Sequence, residues 1–314
     1  MPKVLQAWST AHRLRMVLAG AVLVVASAAA SPAPLFNRGT AIAAEMAHGD
    51  AGNVLVVAHR SDWRSHPENS IPAIRSAIAM GVDVIEVDVR RTKDARFVII
   101  HDKTLDRTTT GKGLVANFTL AELQALRLRD GVGSPTGEHI PTLEEALGEV
   151  RGHAVINLDK SFEHPAEIFA VVEREHALGF ALFSIEQALD EFEATYPGLI
   201  GRMPHFMVVV SDRTKQVDAI IGGYLERRKP DVLQVVFARE DAPVLAWVER
   251  AREKRVRIWF NALWPEHNGG HHDDRALTDP DGAYGWLVNR GATLIQTDRP
   301  KLLMEYLHQT GFRR

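Results

Sequence analysis

The chain has 314 residues, 46% of them hydrophobic and 25% charged, with a formal net charge of −3 and no cysteine. That profile belongs to a globular protein long enough for one large core. It excludes a basic field able to hold nucleic acid and, without cysteine, both disulfides and a lipid-modified thiol, so an anionic ligand would have to be caught by local groups.

Residues 1–15 carry Lys3, Arg13 and Arg15 and no acid, and Met16 to Ala30 then run apolar to a small-residue exit. This layout predicts a secretory signal peptide over 1–30, its apolar core shorter than the ~20 residues of a spanning helix. The expected mature protein is exported, periplasmic or extracellular, with no stable membrane insertion after cleavage. An uncleaved N-terminal anchor is the alternative. The small and polar stretch 31–52 reads as a flexible leader, and 53–314 as one domain.

Beyond that point short β-branched runs alternate with helical stretches, at 54–58, 84–89, 97–101, 154–159, 181–185, 206–210, 232–236, 256–260 and 293–297. Such alternation marks parallel βα units. Only seven residues separate Val89 from Phe97, too few for a helical crossover, so 97–101 is expected to fold back antiparallel. The other eight runs predict an α/β fold, a (β/α)8 TIM barrel with a short hairpin and loop insertion after the second barrel strand. A doubly wound open sheet is disfavoured because no Gly-rich phosphate loop follows the first run.

In such a barrel the site lies at the carboxyl ends of the strands. Those ends carry His59-Arg60, Glu86 with Asp88, His101-Asp102 and Asp159-Lys160. Glu86 and Asp88 are two apart and face one side of a strand. Together with Asp159 they offer hard oxygen ligands suited to Mg²⁺ or Ca²⁺. An imidazole side chain is suited to acid/base work near neutral pH, which makes His59 and His101 candidates for it, and Arg60 and Lys160 have the charge to hold phosphate oxygens. Adjacent strand residues point to opposite faces, so Asp159 and Lys160 can both reach a ligand only if the chain bends there.

The stretches "AHR" (58–60), "PENS" (67–70) and "AIRSAIAMGVDVIEVDVRRTKDARFVIIHDKTLDRTTTGKG" (73–113) resemble the glycerophosphodiester phosphodiesterase family, as do "FTLAELQALRLRDG" (118–131), "LDK" (158–160), "WFNALW" (259–264) and "LIQTDRP" (294–300). The likeness runs in order from about 55 to 310. It implies a phosphatidylinositol-phosphodiesterase-like barrel that cleaves a small phosphodiester into an alcohol and sn-glycerol 3-phosphate with one divalent cation, Mg²⁺ or Ca²⁺. Carried over by position, it makes His59 and His101 the acid/base pair, Glu86, Asp88 and Asp159 the metal ligands, and Arg60 and Lys160 the phosphate contacts. Glu68 becomes an acid at the site edge. A phospholipase D-type cleavage of a lysophospholipid or sphingolipid on the same barrel is the alternative, and a binding protein that has lost catalysis is a third reading.

Three departures stand out. Ser61 and Ala95 occupy positions where the family pattern has glycine, and Asp159 and Lys160 are adjacent where much of the family has a residue between them. The segment 263–286 is long and rich in histidine and acid (His267, His271, His272, Asp273, Asp274), but no i, i+4 histidine pair on a helix supports a zinc site. It reads as a pocket loop, with Trp259, Asn261 or Trp264 expected as substrate contacts at the site edge.

Overall fold

Each apolar run becomes a strand in the computed structural model, which describes residues 37–49 and 52–313. The strands are β1 (Leu55–Ala58), β2 (Val84–Arg91), β3 (Phe97–Ile99), β4 (Val155–Asp159), β5 (Ala181–Ile185), β6 (Phe206–Ser211), β7 (Val232–Val236), β8 (Arg257–Asn261) and β9 (Leu294–Thr297). Eight of them pair in parallel in the order β1-β9-β8-β7-β6-β5-β4-β2, and a further β1–β2 pairing closes the ring. The strand β3 lies outside it, antiparallel to the protruding end of β2 through Val89↔Ile99. Helices between the strands cover the outer face, giving a (β/α)8 barrel.

Side chains alternate along each strand, so the barrel has an apolar outer set under the helices and an inner set that changes with depth. At the floor, Leu55, Val57, Val84, Val155, Leu182, Met207, Val232, Trp259 and Leu294 form one buried cluster. Above them buried polar side chains pair: the Gln234 amide Nε2 donates to Asn261 Oδ1 at 2.9 Å and the Asn157 amide Nδ2 to the Ser184 hydroxyl at 3.1 Å. The inner residues at the carboxyl ends are charged. Residues 100–140, between β3 and the helix Leu143–Val150, build a small core with Val98 of β3 from Ile100, Leu105, Val115, Leu123, Leu128 and Ile140.

The stretch read as a flexible leader needs correction. Within 31–52 the chain forms a helix, Arg38–His48, capped at one end by the Asn37 side chain and at the other by left-handed Gly49. Ile42 and Met46, four residues apart and therefore on one face, enter the floor cluster with Ala43. Arg38 pairs with Asp83 at 2.6 Å and Glu45 with buried Arg257 at 2.7 Å. Small residues let the helix approach the barrel closely, and that approach gives its short apolar face a partner. The stretch expected to be a signal peptide lies outside the described residues, among which no helix is long and apolar enough to cross a membrane.

Met46 is fully buried. Met46→Ala is expected to lower the unfolding free energy by about 2–5 kcal/mol, read as a lower midpoint in chemical denaturation. An unchanged midpoint would mean that the helix does not close the floor in solution.

Candidate active site

Barrel closure sets the first half of the site. Val57 and Ala58 pair with Gln296 and Thr297 on one side and with Val84 and Ile85 on the other. One step further along the same registers, His59 comes between Asp298 and Glu86. His59 Nδ1 meets Asp298 Oδ1 at 2.7 Å, and Trp63 Nε1 donates to the same oxygen at 2.6 Å. Burial works against the charge on Asp298, but the His59 and Trp63 hydrogen bonds hold its carboxyl below the ordinary range. After His59 the chain turns through Arg60 (φ 49°) and Ser61 (φ 67°). Ser61 thus keeps the left-handed backbone that favours glycine, at a cost of about 1–2 kcal/mol, and Ala95 does the same at φ 59°.

The second element is a carboxylate cluster. Asp88 and Asp159 are register partners on β2 and β4, and with Glu86 they bring one oxygen each within 4.8 Å of the others. Among the described residues this is the only such grouping of His, Cys, Asp or Glu. Burial first, then repulsion from Asp88 and Asp159, raises the Glu86 carboxyl well above the usual carboxylate range, although Glu86 accepts the Arg60 backbone N–H at 2.6 Å. Burial also opposes ionisation of Asp88, but Lys160, His101 and Arg60 outweigh it and hold the carboxyl low. Asn69 Nδ2 donates to Asp88 at 2.8 Å.

Lys160 solves the adjacency problem by backbone conformation. Its φ of 63° turns the chain at the end of β4, and its ammonium bonds both Asp88 and, at 2.8 Å, Asp159. Burial disfavours that charge, and the two carboxylates more than offset it, so the lysine titrates above its ordinary value. An all-carboxylate donor set with this much mutual repulsion fits a hard divalent cation.

His101 comes from the far side, just after β3. Its Nδ1 meets Asp102 Oδ1 at 2.7 Å. Arg107 grips Asp102 at 2.8 Å and Glu68 at 2.6 Å, and Glu68 also accepts from Arg60 at 3.2 Å. Burial, with help from Lys160 and Arg60 and against Asp88, holds the His101 imidazole below its ordinary value. A carboxylate only accepts, so in both histidines Nδ1 carries the proton and the lone pair lies on Nε2.

His59, Arg60, Glu68, Trp63, Arg107 and Trp264 line a cavity of about 230 Å³ above this assembly. The structure therefore brings together His59, Arg60, Glu68, Glu86, Asp88, His101, Asp159 and Lys160. Trp264 stands edge-on to His59 with ring centroids 5.7 Å apart. Trp259 and Asn261 do not belong at the site edge: Trp259 is fully buried in the barrel floor and donates to Asn261 Oδ1 at 2.8 Å within the amide tier. Their strand parity points them inward, but at the wrong depth. Sequence reasoning missed Asp298, Asn69, Trp63 and Arg107. Asp298 carried a usable signal, an acid directly after the last strand of a barrel that closes on the first.

Two family models match the chain. The glycerophosphoryl diester phosphodiesterase family matches residues 59–194, and a domain of unknown function matches residues 206–307. A glycerophosphodiester phosphodiesterase of Caldanaerobacter subterraneus is 50% identical over 94 residues, 30% of this chain and 39% of that one. The human glycerophosphodiester phosphodiesterase 1 is 37% identical over 106 residues, 32% of this chain and 31% of that one. Shared stretches amount to 31–58% of such curated relatives' own length. Among solved structures, a glycerophosphoryl diester phosphodiesterase from Parabacteroides distasonis superposes with a TM-score of 0.68 at 24% identity, covering 87% of this chain and 92% of that one. A phosphodiesterase of Oleispira antarctica, solved with its product sn-glycerol-3-phosphate, gives 0.59 at 23% identity over 82% and 97% of the two chains. The structural likeness speaks for the barrel, and the sequence likeness to the glycerophosphoryl diester phosphodiesterase family lies over residues 59–194, the stretch that carries His59, Glu86, Asp88, His101, Asp159 and Lys160.

Proposed function

We propose that this chain hydrolyses small glycerophosphodiesters to an alcohol and sn-glycerol 3-phosphate in an exported protein, with His59 and His101 as the acid/base pair and Mg²⁺ or Ca²⁺ held by Glu86, Asp88 and Asp159. The observation that carries this reading is the pairing of two carboxylate-oriented imidazoles with one three-carboxylate cluster. A divalent ion bound there would polarise a phosphoryl oxygen and acidify a nearby hydroxyl. One imidazole Nε2 takes the proton of the attacking oxygen, and the other ring, protonated, returns one to the departing alcohol. Asp298 and Asp102 stabilise whichever ring is positive. Arg60 has a buried Nε with no hydrogen-bond partner among the described residues, a donor suited to an anionic phosphate oxygen. Lys160 supplies a second cation beside it. The product seen in the Oleispira antarctica neighbour supports a glycerol phosphate as one half of the substrate.

The test is release of phosphomonoester from glycerophosphocholine and from lysophosphatidylcholine. Cleavage of the soluble diester is expected; cleavage of the lipid alone would assign the phospholipase D reading instead. His59→Ala and His101→Ala should each lower turnover by at least ~10²-fold with circular dichroism unchanged, and wild-type turnover in either variant would remove that residue from proton transfer. Chelation with EDTA should abolish activity and added Mg²⁺ or Ca²⁺ restore it. In Asp88→Asn the concentration of metal needed for half-restoration should rise roughly tenfold or more; an unchanged concentration would take Asp88 out of the metal site.

A further inference from the structure

The histidine- and acid-rich segment after β8 holds no ligating cluster. His271 stacks on Trp286 with ring centroids 3.8 Å apart and bonds the Gly282 carbonyl, so it is committed to packing. One acid of the segment goes elsewhere. Asp273 is 2% exposed, held at the seam where β8 meets β9: its own N–H donates to the Ala262 carbonyl at 2.6 Å, and the Ala262 N–H to the Gln296 carbonyl at 2.7 Å.

The Asp273 carboxylate collects three donors. Oδ1 accepts from Tyr284 OH at 2.8 Å and from Thr297 Oγ1 at 2.5 Å, and Oδ2 accepts the backbone N–H of Asp298 at 2.7 Å. Thr297 ends β9 and Asp298 follows it directly, and Asp298 is the partner of His59 Nδ1. A buried carboxylate is a costly way to tie down a loop, since apolar packing of similar volume avoids its desolvation. Here burial pushes the Asp273 carboxyl up to about 7 even with three donors opposing the shift. A group kept against that cost, two bonds' reach behind an imidazole, has a use beyond packing.

We propose that Asp273 is a positioning residue: by fixing the Thr297 hydroxyl and the Asp298 N–H, it sets the Asp298 carboxylate against His59 Nδ1 and so aims Nε2 into the site. The loop that carries it also brings Trp264 edge-on to His59, so the ring is held from behind and from the side by one segment. This assigns a role in the site to the part of the chain matched by a domain of unknown function. Its catalytic consequence rests on the phosphodiesterase reading of His59, whereas the orientation of the ring does not.

The experiment compares wild type with Asp273→Asn and Tyr284→Phe, the second removing one donor while keeping the ring that fills the core. The first readout is the pair of ¹⁵N shifts of the His59 side chain, assigned with a His59→Gln control, which report the proton on Nδ1 or Nε2 without any turnover. Wild type should show the Nδ1–H form. Asp273→Asn should mix the two tautomers, and Tyr284→Phe should do so to a smaller degree. The second readout is steady-state cleavage of glycerophosphocholine in the metal-loaded protein: Asp273→Asn should lower kcat about tenfold with KM within about twofold. A His59 spectrum identical to wild type in both variants would overturn the proposal, as would an unchanged kcat in a variant with mixed tautomers. If Asp273→Asn does not fold, Tyr284→Phe carries the same test by itself. Failure of every form to cleave the diester would instead strike the function proposed above and leave the tautomer result standing.

Discussion

Glu86, Asp88 and Asp159 put three carboxylates within 4.8 Å of one another at the end of a barrel whose interior is otherwise apolar or amide-lined. Charges that close repel strongly where water is scarce. Much of the surrounding architecture can be understood as a response to that repulsion. Lys160 adopts a left-handed backbone to deliver an ammonium between Asp88 and Asp159. Asn69, also left-handed, donates to Asp88, and the turn after His59 aims the Arg60 N–H at Glu86. Three separate backbone departures thus converge on one electrostatic problem, which is how strain tends to gather at working sites.

The two histidines are oriented by the same device at different depths. His59 is buried, and its carboxylate partner belongs to the barrel wall. His101 is about a third exposed, and its partner Asp102 belongs to the insertion, tied through Arg107 to Glu68 on the loop after β1. The barrel therefore fixes one imidazole rigidly, while the second depends on an ion-pair chain between two surface loops.

What could be read in the sequence was what repeats locally. β-Branched runs mark strands because their side chains fit a pleated, half-buried surface, and the E-x-D pair marks an inner face because the strand period is two. Depth inside the barrel is not local, which is why Trp259 and Asn261 have the right parity and the wrong tier. The helix Arg38–His48 was illegible for a related reason: its face is two aliphatic residues and an alanine, significant only against a floor assembled from β1, β2 and β4 to β9. The partnership of His59 with Asp298 depends on ring closure between residues 239 apart. No window along the chain contains both.

That separation has a kinetic consequence. The strand that precedes Asp298 is the last of the barrel, and it must dock against the first before the His59 ring has its partner. Contacts this distant in sequence make folding slow, because loop-closure entropy is lost before the contacts form. A chain emerging in order from the ribosome, or one lacking its final strand, would hold most of the carboxylate cluster and none of the His59 orientation. Competence would then arrive at the closing step itself, and the seam between β1 and β9 would serve as the point at which folding is reported by the chemistry.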